Sequence, residues 1–342
     1  MSDDESSTLD EGAIDEQVAG ETTGEPAGEQ AGSPPPEAVA GGGKKAGTVV
    51  LIGRPNAGKS TLLNQLMGEK LAIISDKPQT TRQRLVGILT DDTRGQMVFY
   101  DTPGVHRPLH DMNRRMMRDA RDALNEADVV CLLVDASASH GSGEEYMLEL
   151  VADAEVPRLV ALNKADLINK GRLLPRIELY AEQGDFVDIV PISALTGDGC
   201  DVLLDLFWKY LPEGPPIYDP ELLTVHPQRY LAGERIREKV LANTYEEVPF
   251  STAVLVERWE EEPGDDLVRI YATLIVERNS QKSILIGRQG QMIKKIGTEA
   301  RLDLEEFLGK RVYLDLRVRH EPKWRESPRV LAELERDIHG RW

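Results

Sequence analysis

The 342-residue sequence predicts a layered α/β domain with a mostly parallel sheet, joined by a proline-rich connection to a smaller α+β domain. Three observations predict it. From Gly47 onward, the apolar runs TVVLIG, MVFYD, DVVCLLVD, RLVALNK and VDIVPIS alternate with amphipathic stretches, as strands buried on both faces do beneath crossover helices. The segment LPEGPPIYDP, with four prolines in ten residues, ends that series. After it the order becomes helix, strand, strand, helix, Gly-x-x-Gly, helix, strand.

Taken in order, residues 1–46 are rich in Glu, Asp, Gly, Ala, Ser and Pro, lack aromatics, and hold 11 acids against 2 lysines. Such a segment cannot bury enough apolar surface to offset its ordering entropy, so it is expected to be a disordered acidic extension. Residues 47–220 carry 26 acids and 18 bases, and residues 221–342 carry 22 and 21. The net charge of −18 therefore leaves the last third nearly neutral, and it does not argue against a phosphate-binding surface there. The start of the chain lacks a basic segment followed by an apolar run, so no secretory signal is expected. No run of 18 apolar residues suggests a membrane span, so a cytoplasmic location is expected. Peripheral membrane association has no support beyond scattered bases. Two distant cysteines, Cys131 and Cys200, make neither a disulfide framework nor a zinc site.

The first strand runs into GRPNAGKST, which fits G-x-x-x-x-G-K-S/T between a strand and a helix and reads as a P-loop. Gly53, Arg54, Pro55, Asn56, Ala57, Gly58, Lys59, Ser60 and Thr61 compose it. Its glycines let backbone N–H groups approach phosphates, Lys59 supplies positive charge to the outer phosphates, and the Ser60 hydroxyl is placed for Mg²⁺. The polar stretch SDKPQTTRQR then has the position of a first switch. Either Thr80 or Thr81 is a candidate Mg²⁺ ligand there, with Thr81 preferred. RLVGILT and QMVFYDT, joined only by DDTRG, predict an antiparallel hairpin.

Three strand ends supply the rest of a guanine-nucleotide site. At DTPG, Asp101 can hold Mg²⁺ through water and the Gly104 N–H can reach a γ-phosphate, with Thr102 and Pro103 between them. At NKAD, Asp166 can accept from the ring N–H and the exocyclic amine of guanine, a donor pair adenine lacks; Asn163 supports the loop and Lys164 lies over the ring. At SAL, comprising Ser193, Ala194 and Leu195, the Ala194 N–H can donate to the guanine oxygen. An unpaired buried carboxylate discriminates by about 10⁴, so GTP is preferred to ATP. Lys59, Thr81 and Gly104 form the expected catalytic group. Val105 stands where Ras-like enzymes carry the Gln that orients water, so turnover should be slow; His106 beside it is either a base or a solvated loop residue.

These motifs resemble the Era branch of the bacterial GTPases, from about Gly47 to the C-terminus. The resemblance implies a Ras-like P-loop NTPase fold over 47–212, a linker over 213–224 and a type II KH domain over 225–342. It implies a potassium ion at Asn56 beside the phosphates. It further implies the 3′ end of 16S ribosomal RNA and the 30S subunit as partners, with maturation of the small subunit as the task. The acidic extension has no counterpart in the compact form of that family, and HEPKWRESPRV is longer than the family pattern after the last strand.

In the KH region, Gly287-Arg288-Gln289-Gly290 precedes a helix with no Gly-Lys-Ser, so this second LIGR segment is not a nucleotide loop. A Gly-x-x-Gly turn lets the backbone approach RNA phosphates closely. Lys282, Arg288, Lys294, Lys295 and Arg301 against the single acid Glu299 make a local positive patch, with Ile286 in the groove. Trp324, between Lys323 and Arg325, is a candidate base-stacking residue, with core packing as its alternative. Besides a GTP-switched assembly factor, a metabolic or RNA-modifying GTP enzyme and a non-hydrolysing RNA scaffold remain in view. The former lacks a further nucleophile, base or metal cluster, and the latter is disfavoured by a full set of Mg²⁺ and phosphate groups.

Overall fold

The computed structural model describes residues 43–77, 80–104 and 111–339. Residues 1–42, and with them most of the predicted acidic extension, lie outside these, as do Val105 and His106. β1 (Lys45–Gly53) leads into α1 (Lys59–Met67), followed by β2 (Leu85–Asp91), β3 (Gly95–Asp101), α2 (Asp111–Asn125), β4 (Val129–Asp135), α3 (Ser142–Ala152), β5 (Arg158–Asn163), α4 (Leu173–Gln183), β6 (Asp188–Pro191) and α5 (Cys200–Tyr210). The strands form one sheet in the order β2-β3-β1-β4-β5-β6. Only the β2–β3 hairpin is antiparallel.

Branched residues at both parities of β1 and β4 require cover on both faces. Val49, Leu51, Cys131 and Leu133 pack with Leu62 and Leu63 of α1 and Leu203 and Phe207 of α5. Ile52, Val130 and Leu132 pack with Ala120 of α2, Met147 and Val151 of α3, and Tyr180 of α4. Each such buried side chain contributes about 1.5–3 kcal/mol, which anchors the strand ends that carry the site. Cys131 and Cys200 are free thiols and buried.

β1 begins two residues before the expected domain start, because the Lys45 ammonium donates to the carbonyls of Lys209 and Leu211 at 2.8 and 2.9 Å. The proline-rich segment is pinned rather than free. Gln96 Oε1 accepts from the N–H groups of Ile217 and Tyr218, both at 2.7 Å. Further along, Ile88 N–H donates to the Leu223 carbonyl at 2.8 Å and the Thr224 hydroxyl to the Val86 carbonyl at 2.6 Å. The segment thus covers the edge of β2, which would otherwise offer unpaired backbone groups.

The second half contains α6 (Gln228–Asn243), α7 (Val248–Ser251), β7 (Ala253–Glu260), β8 (Leu267–Val276), α8 (Asn279–Ile286), α9 (Gln291–Leu308), β9 (Arg311–His320) and α10 (Pro328–His339). Its sheet has the order β7-β8-β9, antiparallel then parallel. Ile236 and Val240 of α6 and Ile296, Ala300 and Leu304 of α9 pack on Ile270 and Leu274 of β8. Val330 and Leu331 of α10 join a separate cluster with Ala253, Leu255, Ile275 and Trp324, against Met112 and Met116 of α2. α10 is the element that the longer HEPKWRESPRV segment leads into. Among the described residues no helix is long and apolar enough to cross a membrane.

Candidate functional site

Strand ends and loops bring the predicted P-loop, first-switch and DTPG residues to one place. Gly58 turns the loop into α1 with φ +99°, and Asn56 sits at φ +63°. The Lys59 side chain folds back under the loop, its ammonium donating to the carbonyls of Gly53 and Arg54, both at 3.1 Å. Burial lowers its pKa to about 8, partly offset by Asp101. A chamber of about 50 Å³ lies between this loop and the first switch, lined by Asn56, Lys59, Ser60, Thr81 and Gly104 among others. A much larger cleft, about 840 Å³ between β2, α2 and the C-terminal segment, shares no lining residue with it and carries none of the phosphate-loop residues.

Three oxygens meet at the chamber wall. Ser60 Oγ lies 2.7 Å from Asp101 Oδ2 and 2.8 Å from Thr81 Oγ1, and Thr81 Oγ1 donates to Asp101 Oδ2 at 3.2 Å. Asp101 is fully buried, and its Oδ1 has no partner among the described residues. Burial pushes its carboxyl up, opposed by Lys59 and the two hydroxyls. Two hydroxyls and one carboxylate, one of whose oxygens is unmet, are the hard donor set that Mg²⁺ takes when phosphates complete its shell. Thr80 is not part of it; its hydroxyl closes a turn onto the Lys77 carbonyl at 2.6 Å.

Asn163 joins two loops from a fully buried position. Its Nδ2 donates to the Ala57 carbonyl at 2.7 Å and its Oδ1 accepts from the Ala194 N–H at 2.9 Å. The Ala194 N–H, expected to meet a guanine oxygen, is therefore engaged within the protein, because it faces this carboxamide across the base of the two loops. Lys164, expected over the base ring, places its ammonium on Asp135 Oδ2 at 2.6 Å. Its stem remains as apolar surface. Asp166 is exposed and forms no ion pair with a described side chain, so its carboxylate is available. Leu195 is 77% exposed, while Ser193 is buried and accepts from the Thr196 N–H. Arg54 points away from the chamber into a pair with Glu144 of α3, at 2.9 Å.

Gly104 packs on the P-loop so closely that a Cβ would lie 2.7 Å from Pro55 Cα. Thr102 anchors the strand end through its hydroxyl, which donates to the Leu51 carbonyl at 2.8 Å. Asn56 reaches across to the first switch, Nδ2 donating to the Asp76 carbonyl at 2.6 Å.

The Gly-x-x-Gly turn lies between α8 and α9. Gly287, Gln289 and Gly290 have φ of +72°, +52° and +75°. A Cβ on Gly287 would meet Met292 at 2.7 Å, whereas Gly290 faces open space. Arg288, Lys294 and Lys295 are exposed, and Lys282 and Ile286 are partly so. Arg301 is paired with Glu305 at 2.7 Å. Beside them, α9 and β9 enclose a groove of about 320 Å³ with Ile293, Gly297, Leu314 and Leu316 on its floor and Lys294 and Arg301 on its rim.

Trp324, the candidate for base stacking, is instead completely buried, with Nε1 donating to the Ser251 carbonyl at 2.7 Å, and cannot stack on a base. Its flanking bases do not make it a surface residue, since Arg325 pairs with Glu277 at 2.5 Å. Sequence reasoning missed Asp135, although it ends an apolar strand run at the ligand edge of the sheet, a usable signal. It also missed Leu314 and Leu316, whose alternate spacing in RVYLDLRVR marks one face of a strand. Nothing local signals Glu144, which is brought in by α3.

Residues 48–164 match the family described as 50S ribosome-binding GTPase, and residues 247–325 match the KH domain family. The chain is 45% identical over 290 residues to GTPase Era of Syntrophus aciditrophicus, covering 85% of this chain and 94% of that protein. It is 47% identical over 291 residues to GTPase Era of Geotalea uraniireducens, covering 85% and 97%. A crystal structure of Aquifex aeolicus Era bound to GDP and AlF4⁻ superposes with a TM-score of 0.81 at 38% identity, covering 85% of this chain and 98% of that one. A crystal structure of Era with MgGDPNP and nucleotides 1506–1542 of 16S ribosomal RNA superposes with a TM-score of 0.82, at the same identity and coverage.

Proposed function

The chain belongs to the Era family of GTPases, and on that premise we propose that it is a GTP-switched RNA-binding factor acting in assembly of the small ribosomal subunit. It carries a GTPase domain followed by a C-terminal KH domain. The proposed partner is the 3′ end of 16S ribosomal RNA within the 30S subunit, supported by the relative that holds that RNA. The work is proposed to take place in the cytoplasm.

In this reading the P-loop N–H groups and Lys59 bind the outer phosphates of GTP. Ser60, Thr81 and Asp101 would hold Mg²⁺, which when bound supplies positive charge to the β- and γ-phosphate oxygens. Asn56, already tied to the first switch through Asp76, would hold a potassium ion. Asp166 selects guanine by accepting two hydrogen bonds, while Asn163 keeps the base loops and the P-loop in register. Gly104 carries an N–H toward the γ-phosphate. Because Val105 cannot orient a water molecule, intrinsic turnover is slow.

RNA binding uses the Gly-x-x-Gly turn, the apolar groove between α9 and β9, and the cations Lys282, Arg288, Lys294, Lys295 and Arg301. One observation carries the reading: Thr81 reaches the Ser60 and Asp101 oxygens from a loop whose next residue, Arg82, donates to the Pro249, Phe250 and Thr252 carbonyls of the KH half. A γ-phosphate that pulls on Thr81 therefore pulls on the RNA-binding domain. RNA affinity measured with a GTP analogue, with GDP and without nucleotide tests this; equal affinity in all three states would overturn it. Equal GTPase rates in sodium and potassium would remove the ion at Asn56.

A further inference from the structure

Switch loops in a GTPase must be held in one arrangement when the terminal phosphate is present, and the group that holds them controls the rate. Here the first switch is held by helix α6 of the KH half. Ile74 N–H donates to Glu238 Oε1 at 3.0 Å, and the Lys77 ammonium donates to the Leu241 carbonyl at 2.6 Å and to the Thr244 carbonyl. The Arg237 guanidinium donates to the carbonyl of Thr80. The next residue is Thr81, whose hydroxyl stands with Ser60 and Asp101.

Arg237 is only 2% exposed, which is costly for a cation without compensating partners. Glu234 supplies them, at 2.7 Å to Nε and 2.5 Å to Nη2. That pair lies within α6 and needs no contact with the other domain. The bond from Nη2 to the Thr80 carbonyl is the one that crosses, and it fixes the peptide linking Thr80 to Thr81. A charge-assisted bond from a buried, preorientated guanidinium is stronger than a neutral one and restricts the carbonyl direction tightly.

We propose that Arg237 is a positioning residue of the GTPase centre, contributed by the RNA-binding domain. It acts through the Thr80 carbonyl to keep the Thr81 hydroxyl at the Ser60 and Asp101 oxygens. Helix α6 is in turn tied to α9, the helix behind the Gly-x-x-Gly turn. Asn243 Nδ2 donates to Glu299 Oε2 at 2.5 Å, and Arg235 pairs with Asp303 at 2.5 Å. RNA seated against α9 thereby reports to the same carbonyl, and the RNA-binding domain serves as a built-in template for hydrolysis.

The proposal rests on the nucleotide-site reading above, and a double-mutant cycle separates the two. Steady-state GTP hydrolysis would be measured for the wild type, Arg237→Gln, Arg237→Lys, Thr81→Ala and the combination of Arg237→Gln with Thr81→Ala. Arg237→Gln should lower kcat about tenfold, with the KM for GTP and the affinity for GDP held within about twofold, because only the reactive arrangement is lost. Arg237→Lys should recover most of the rate. In the Thr81→Ala background, Arg237→Gln should cost nothing further, as expected of two residues acting as one unit. If Arg237→Gln does not fold, Arg237→Met keeps the packing of the stem and takes its place in the cycle. An unchanged kcat, or losses that multiply in the double variant, would overturn the role of Arg237. A Thr81→Ala protein with wild-type kcat would instead overturn the place given to Thr81 in the nucleotide site.

Discussion

The carboxamide of Asn163 fills the space that a side chain on Gly58 would need, for a Cβ there would lie 2.1 Å from Nδ2. The glycine of the P-loop and the asparagine of the base loop are thus one fitted pair. Gly58 has to be glycine twice over, because its φ of +99° also strains any other residue.

From this pair we predict that Asn163→Ala weakens GTP and GDP binding alike. The substitution strands the Ala57 carbonyl and the Ala194 N–H, both in buried residues. Each unmet group costs about 1–3 kcal/mol, so the melting temperature should fall together with nucleotide affinity. Calorimetric melting and fluorescent-nucleotide titration measure both. A variant that loses guanine selectivity while keeping its stability would show Asn163 to be a base reader only.

Thr80 and Thr81 separate two readings of one dipeptide. Thr80 spends its hydroxyl on the Lys77 carbonyl, while Thr81 has its own in the oxygen cluster. Thr81→Ala is expected to lower kcat at least tenfold, equivalent to about 1.4 kcal/mol of barrier, and Thr80→Ala less than threefold. Single-turnover hydrolysis at saturating Mg²⁺ checks the order; the reverse order would place the switch hydroxyl on Thr80.

Trp324 belongs to stability, not to RNA. Its ring lies in the cluster of Ala253, Leu255, Ile275, Val330 and Leu331, against Met112 and Met116 of the GTPase half. Trp324→Ala should destabilise the protein by about 3–5 kcal/mol. RNA affinity per folded molecule should stay within twofold. A tenfold loss of RNA affinity with an unshifted denaturation midpoint would restore the stacking role.

What could be read from the chain and what could not divide along one physical line. The P-loop, DTPG and NKAD are local patterns in which the chemistry depends on neighbours in sequence, so the meeting of Lys59, Ser60 and Asp101 at one place was legible. The parallel sheet with its one antiparallel hairpin was legible for the same reason, since apolar runs broken by helical stretches admit few sheets. Trp324 was ambiguous because two flanking cations look the same whether a ring faces solvent or a core. The engagement of the Ala194 N–H by Asn163 and the crossing bond from Arg237 to Thr80 join residues far apart in the chain, and no spacing rule encodes them. The linker was legible as proline-rich but not as pinned, because its partners on β2 and β3 are backbone groups and one glutamine.

The two glycines of the Gly-x-x-Gly turn should respond differently. Gly287 is wedged against Met292, so Gly287→Ala disturbs the fold as well as the turn. Gly290 faces open space at φ +75°, so Gly290→Ala should cost only about 1 kcal/mol of stability. Gly290→Asp adds a carboxylate where an RNA phosphate would approach and should lower RNA affinity more than tenfold while changing melting little. Binding of a single-stranded RNA by anisotropy, with and without the substitution, decides it; unchanged affinity would move the RNA elsewhere.

The contact between the halves also carries a pH signature. Lys70, after α1, pairs with Glu238 of α6 at 2.7 Å and with Asp303 of α9 at 2.8 Å; Arg235 and Lys239 complete the cluster on Asp303. Burial alone would raise the Asp303 carboxyl, but bonds from Lys239, Lys70 and Arg235 outweigh it and hold the group well below its usual range. Glu238 is lowered in the same way, its burial outweighed by Lys239 and Lys70. Native carboxylates with depressed pKa bind fewer protons than the unfolded chain, so stability rises with pH across that window. The contribution is complete above the ordinary carboxylate range of about 4 and is lost as pH falls through the native values. Asp303→Asn should therefore cost about 3 kcal/mol at pH 7, by leaving partly buried cations short of a partner, and progressively less as pH falls below about 4. Denaturation midpoints of the two proteins should converge as the solution is acidified. A penalty that stays constant from pH 7 to pH 3 would mean that the cluster is solvated and does not hold the two halves together.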